Sequence, residues 1–235
     1  MELWENLPRL ARRLGGDIYG VADLSSATEE IRRQGGDEVA GYPKAISVGV
    51  VLLDPLVDLL PRRDERAVAV RYHTHAYRTV NLRLDAIASR LGSELQKQGY
   101  RAFPIPASER ADDERACAIF SHKLAANLAG MGGIGKSCLL ITPGHGPRVR
   151  WATVLTDAPL PAGEPMEQRC GSCHECVDAC PPGVIAGRSF VESEPREARY
   201  DAPGCQRYIG SMEQGGRPGV CGMCLYVCPH GRKKE

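Results

Sequence analysis

The sequence predicts an α+β protein in two parts: a mixed α/β domain over residues 1–160 and a small cysteine-rich domain over residues 168–235. Three observations lead there. Helix-like and strand-like apolar patterns alternate as far as residue 157. A stretch with three prolines, APLPAGEPMEQR, then interrupts them and puts a boundary near 158–168. Beyond it, eight of the ten cysteines crowd into Cys170–Cys228.

The elements follow in order. Leu3, Leu7, Leu10 and Leu14 recur at helical spacing and predict an amphipathic helix over 2–14. DIYGVADL, 17–24, reads as a strand, and SSATEEIRR starts a helix with Ser25 or Ser26 as N-cap. KAISVGVVLL, 44–53, is a continuous apolar run suited to a buried strand. Arg71 to Gln98 predicts one long helix: Val80, Leu84, Ile87, Leu91 and Leu95 recur at steps of three and four, and Gly99 ends it. YRAFPIP is a short strand broken by two prolines, and CAIFSHKLAANLA, 117–129, a closely packed helix. CLLITP and RWATVLTD read as strands on either side of a turn at GHGP.

Composition narrows the function classes. Hydrophobic content of 43% and charged content of 25% are those of an ordinary globular chain. A net charge of +1 supplies no field to attract nucleic acid or anionic membrane, and the basic GRKKE tail reads as solvated. No apolar run approaches the ~20 residues of a membrane helix, and charges interrupt the N-terminal leucines too often for a signal peptide. A cytoplasmic protein with no membrane partner is expected.

The segment GMGGIGKS, Gly130–Ser137, fits the phosphate-loop pattern, but its flanks are inverted. A phosphate loop leaves a strand and opens a helix, whereas this segment leaves a helix and enters a strand. It reads as a helix end with Gly130 or Gly132 at positive φ, or as bare backbone brought against a flat cofactor.

The cysteines carry the strongest signal. Cys170-x2-Cys173-x2-Cys176-x3-Cys180-Pro181 is the bacterial ferredoxin run, and Cys205-x15-Cys221-x2-Cys224-x3-Cys228-Pro229 forms a second set. Two sets predict two [4Fe–4S] clusters. Three thiolates within seven residues wrap one face of a cubane, and the cysteine of Cys-Pro points to the other cluster. Cluster one is therefore assigned to Cys170, Cys173, Cys176 and Cys228, and cluster two to Cys180, Cys205, Cys221 and Cys224. The competing reading, two four-thiolate zinc sites, normally pairs two C-x2-C units across a longer gap. Cys138 reads as a packing residue. Cys117, beside Asp112, Asp113 and Glu114, reads as a poor nucleophile. In YHTH, Tyr72 to His75, the two histidines do not share a helical face; they read as cofactor or substrate contacts rather than a metal site. Arg148 and Arg150 flank Val149 on one strand face, where they meet phosphate or propionamide groups or face solvent.

AGMGGIGKSCLLITP resembles the AGLGWIGK-type segment of epoxyqueuosine reductases, and CGSCHECVDACPPGVI and CGMCLYVCPHG resemble that family's double-cluster domain, with the lone Cys205 followed by Tyr208. The resemblance implies a nitroreductase-like α/β domain that holds cobalamin, joined to a ferredoxin-like domain with two [4Fe–4S] clusters, a layout similar to that of reductive dehalogenases. It implies electron entry through one cluster and passage through the other to cobalt. Gly132, Gly133, Lys136, Ser137 and Tyr208 become candidate cofactor-binding residues. No D-x-H-x-x-G segment occurs, so the corrinoid is expected base-off; FMN is the alternative cofactor. A low-potential donor such as ferredoxin or flavodoxin is implied, and oligomer formation stays open.

The sequence also departs from the pattern. Its residues end soon after the second cysteine set, so the family's C-terminal repeat region for tRNA is expected to be missing. Gly133 stands where the family has tryptophan, which is expected to open the cofactor face. Ungapped, the proton-donating aspartate falls at Ala116 and the family's Glu-Arg pair at His122-Lys123, the two candidate catalytic residues. The reading is a cobalamin-dependent iron–sulfur oxidoreductase acting on a small substrate. The alternative is an electron-transfer protein or reductive activator that reduces a corrinoid protein partner. Epoxyqueuosine reduction on tRNA and FMN-dependent reduction are the further readings.

Overall fold

The computed structural model describes residues 3–213 and 216–232; the end of the basic tail, from Lys233, lies outside the described residues. Helix α1 (Leu3–Arg13) leads into β1 (Ile18–Asp23), α2 (Thr28–Ala40) and β2 (Lys44–Val51). Short α3 (Asp54–Val57), α4 (Arg66–His73), a π-helical turn (Thr74–Thr79) and α5 (Val80–Lys97) follow. Then come β3 (Ala102–Ile105), α6 (His122–Leu128), the hairpin β4 (Gly133–Ile134) and β5 (Leu140–Ile141), and β6 (Val149–Thr156). The cysteine-rich half holds only α7 (Glu175–Asp178), α8 (Ala202–Ser211), α9 (Met223–Tyr226) and single 3-10 turns.

The sheet is antiparallel throughout, in the order β1-β2-β6-β3. Side chains alternate across it. Ile46, Val48 and Val50 of β2, with Ala152 and Val154 of β6, meet Leu84, Ile87, Leu91 and Leu95 of α5 and Leu7 of α1. On the opposite face Ala45, Trp151 and Leu155 meet Ala125, Ala126 and Leu128 of α6 and Ile31 of α2. Both faces are covered, which is why β2 is buried at every position from Ala45 to Val50 rather than at alternate ones.

Four expectations need correction. The helix predicted over Arg71–Gln98 starts at Arg66 and is interrupted by the π-helical turn, where Tyr72 and Tyr77 pack edge to face with ring centroids 6.0 Å apart. Such turns admit an extra residue and recur at functional sites. The helix predicted over 117–129 begins only at His122, where the Ser121 hydroxyl accepts from Leu124 N at 3.3 Å. The preceding residues are held instead by backbone pairing of Asp112 with Cys117 and by Arg196, which donates to Ala116 O at 3.2 Å. Neither Ser25 nor Ser26 caps α2, which begins at Thr28; Asp23 Oδ1 accepts from Ser25 N at 2.9 Å. The strand expected from CLLITP shrinks to Leu140–Ile141. Among the described residues, no helix is long and apolar enough to cross a membrane.

Candidate functional site

The glycine segment is what joins the two halves. Gly130 follows α6 with φ of 75°, the left-handed conformation that ends helices. A Cβ at Gly130 would stand 2.6 Å from Glu164 O, and one at Gly133 2.5 Å from Glu167 O. The glycines are there so that the proline-rich linker can lie backbone to backbone along the segment. Asn127 Nδ2 fixes this arrangement by donating to Gly132 O and Met166 O, both at 2.8 Å. Gly132 faces Ile141 O in the hairpin. The room left at Gly133 is filled by the linker.

Lys136 is buried, and its ammonium donates to Gly171 O at 2.9 Å and Cys173 O at 3.0 Å, 3.3 Å from His174 Nε2. It holds the loop that carries the first cysteines. Ser137 lines the cavity just beyond, together with Cys170, Cys173, Cys176, Cys228, Pro229 and His230. The structure thus brings the first three cysteines of one run together with the last cysteine of the other. Burial pushes the Cys176 thiol up to about 11, reinforced by Cys170, Cys228 and Cys173.

The second quartet forms around Cys224. Its thiol is raised by burial and then by Cys221, Cys205 and Cys180. These four come from four places. Cys205 sits in the first turn of α8, whose N-cap Asp201 accepts from Gly204 N at 2.8 Å. Cys180 follows α7, Cys221 precedes Gly222 at φ 68°, and Cys224 lies within α9. The Tyr200 hydroxyl is within hydrogen-bond reach of Cys205. Arg63, from the α/β half, lies beside Cys221 and donates to Tyr208 Oη at 3.4 Å. Tyr208 therefore faces Arg63 at the join between the halves.

Each quartet is four thiols whose ionised forms repel one another, an arrangement that needs a compensating metal charge. Among the described residues, no group of three or more Cys, His, Asp or Glu converges closely enough to hold a single metal ion. The four thiols of the first quartet line one cavity, and an all-thiolate set in the ferredoxin spacing suits an iron–sulfur cluster.

The remaining candidates lie elsewhere. His122 Nε2 donates to Pro106 O at 3.0 Å and Nδ1 accepts from the Thr153 hydroxyl at 2.8 Å. Burial lowers its pKa to about 4, so the ring is neutral with both nitrogens engaged. Lys123 Nζ donates to Cys138 O at 2.5 Å, and burial lowers its pKa as well. Cys138 is buried, as a packing residue should be, and takes φ of 57° in the hairpin turn. Arg148 is buried in ion pairs with Asp54 at 2.9 Å and Asp58 at 2.8 Å and does not face solvent. Arg150 donates to Asn81 Oδ1 at 2.7 Å and lies over the Tyr77 ring at 4.6 Å. His75 Nε2 accepts from Leu53 N, whereas His73 opens into a groove with Val70, Thr74, Arg78, Glu213, Arg217 and Pro218. That groove has a volume of about 420 Å³.

Sequence reasoning found the cysteines and missed what supports them. Lys136 is singled out in the sequence only as a cofactor contact, and Arg63 lies 158 positions before the cysteine it adjoins, with no local pattern to mark it.

Comparison with known proteins agrees with this geometry. Residues 169–231 match the family of 4Fe-4S double cluster binding domains. The chain is 26% identical to the epoxyqueuosine reductase of Vibrio cholerae, over 99% of its own length and 62% of the relative's. It thus spans a little under two thirds of that curated relative. A solved reductive dehalogenase, reported with a mechanism for B12-dependent dehalogenation, superposes with a TM-score of 0.72 at 19% identity, covering 97% of this chain and 32% of that one. An epoxyqueuosine reductase solved with an epoxyqueuosine-modified tRNA stem loop gives 0.55 at 21% identity, covering 97% and 64%. Along nearly its whole length, then, the chain is similar to epoxyqueuosine reductases, and it carries a double-cluster domain of the 4Fe–4S type over residues 169–231.

Proposed function

We propose that this chain is a cobalamin-dependent iron–sulfur oxidoreductase of the cytoplasm, acting on a small substrate by low-potential electron transfer. Residues 1–160 would hold the corrinoid and residues 168–235 the clusters. The observation that carries the reading is the crossed pair of quartets. Cys170, Cys173, Cys176 and Cys228 would ligate one cluster and Cys180, Cys205, Cys221 and Cys224 the other. Bound here, two [4Fe–4S] clusters supply one-electron chemistry at low potential, and a corrinoid supplies a metal able to reduce what side chains cannot.

The chain's own part is to hold and to shield. Lys136 fixes the first cysteine loop through two backbone carbonyls. Tyr72 and Leu225 are buried between the sheet half and the second quartet and exclude water there. A corrinoid rim would lie in the groove beside the π-helical turn, where Val70 and Pro218 offer apolar walls, and His73, Thr74, Arg78 and Arg217 polar contacts. Its volume falls within the range of small-molecule sites. The B12-dependent dehalogenase of the same fold supports this choice over FMN.

A second reading is favoured by one observation. Both nitrogens of His122 are engaged and Lys123 is tied to Cys138 O, so neither candidate is free to deliver a proton. An electron-transfer protein that reduces a corrinoid on a partner needs no such donor. A low-potential carrier such as ferredoxin or flavodoxin would supply electrons in either case. The tRNA stem loop held by a relative also reopens RNA as a substrate, which the net charge had argued against.

Anaerobic titration of the iron-loaded protein with hydroxocobalamin, followed by visible absorbance, tests the proposal. Saturable binding is expected, weakened tenfold or more by Arg217→Ala. No corrinoid binding, or FMN retained through purification, would overturn it.

A further inference from the structure

We propose that Arg63, which belongs to the α/β half, donates to sulfur of the cluster held by Cys180, Cys205, Cys221 and Cys224, and raises that cluster's reduction potential. Packing of the two halves would then set the potential. The inference rests on the ligand assignment above.

Position comes first. Arg63 closes a 3-10 turn, its N–H donating to Leu60 O at 3.1 Å. Leu60 is fully buried, and its Cδ1 stands 2.8 Å from where a Cβ of Gly222 would be. Gly222 follows Cys221 directly, so the turn is pressed onto the second quartet at a point where only glycine leaves room. The guanidinium that results lies beside the Cys221 thiol, where its charge works against the burial that raises that thiol.

Satisfaction comes second. Nη2 has Tyr208 Oη at 3.4 Å, but Nε is buried without any acceptor. Nearby carboxylates are engaged elsewhere: Glu65 pairs with Arg62 at 2.7 Å, and Asp64 with Arg217 at 3.6 Å. A buried charged donor left unpaired is costly. The acceptor chemistry missing beside Cys221 is sulfur that carries negative charge, which a cluster brings in its sulfides and thiolates.

The direction of the effect follows from charge. Reduction adds one negative charge to the cluster. A cation with an N–H at the sulfur stabilises the reduced form more than the oxidised form, and the potential rises.

The test is a dithionite redox titration of the reconstituted protein, read by EPR. Arg63→Met should move one midpoint to more negative potential, by at least the 59 mV that equals a tenfold change in a one-electron equilibrium. The other midpoint should stay. Arg63→Lys should give a smaller shift, and the exposed control Arg62→Met none. Repeating the titration in a Cys228→Ala background, which keeps only the second quartet's cluster, identifies whose midpoint moves. Where Arg63→Met fails to load iron, Arg63→Gln, which keeps a donor without the charge, takes its place with a shift in the same direction. Two loaded clusters with unchanged midpoints would overturn the inference, as would equal shifts in both. A wild-type protein lacking two clusters would instead overturn the ligand assignment, and this inference with it.

Discussion

The two halves of this molecule are built on different principles. In the α/β half, Leu84, Ile87, Leu91 and Leu95 of α5 are fully buried against β2 and β6, and each such side chain contributes about 1.5–3 kcal/mol by leaving water. In the cysteine-rich half the buried apolar residues are few, among them Ile185, Ala202, Met212, Val220 and Leu225. Its α7 and α9 are four residues long and have no side-chain caps. Small units with so little core need staples, and under the proposed ligation the eight thiols would supply them. The first half is therefore expected to fold by burial alone, and the second to depend on what its thiols hold.

The quartets sharpen that contrast. Cys228→Ala should abolish the cluster built on the first run and leave the other, with about half the iron lost. Cys224→Ala should do the converse, and EPR of the reduced variants separates the two. If Cys228→Ala removes the cluster of Cys221 and Cys224 instead, the crossed assignment is wrong.

Lys136→Met removes a buried ammonium that bridges the halves. Hydrogen bonds to a charged group contribute about 1.5–3 kcal/mol each, so a loss of roughly 3 kcal/mol in urea unfolding is expected, with the cluster of Cys170 released first. Binding of ATP should be absent in both proteins. A variant as stable as wild type would show that the first cysteine loop holds itself.

His122 tests the half that needs no metal. Its folded pKa of about 4 lies below the ordinary value of 6.5. The unfolded chain thus binds a proton more readily, and the stabilisation, complete above pH 6.5, is lost as pH falls from there towards 4. At pH 5 the loss should be about 2 kcal/mol. His122→Gln should flatten this part of the stability–pH curve, and an unchanged slope would mean that the ring is not locked neutral. The smallest effect belongs to Asp201→Ala, which removes the α8 cap behind Cys205 at about 1 kcal/mol. Iron at the second quartet should bind more weakly in that variant, while the first quartet keeps its affinity.

Local pattern made much of this legible. The spacing of leucines gave α1 and α5, the unbroken apolar run gave β2, and the Cys-Pro offsets pointed to a crossed arrangement that the cavity around Cys170 and Cys228 matches. What stayed hidden depends on distant partners. The residues before His122 resemble a helix but are recruited by Arg196. Gly133 looked like a cofactor face because nothing in its own neighbourhood announces that Glu167 will lie against it. Arg148 looked like an anion contact because Asp54 and Asp58, its ion-pair partners, are almost a hundred positions away.

The central claim is that the eight thiols outside Cys117 and Cys138 hold two iron–sulfur clusters. Mössbauer spectroscopy of anaerobically reconstituted protein, with iron and acid-labile sulfide assays on the same sample, tests it most directly. About eight irons and about eight sulfides per chain, with spectra of [4Fe–4S] centres alone, are the expected result. Stoichiometric zinc with no sulfide, in a protein whose cysteine-rich half remains folded, would contradict it.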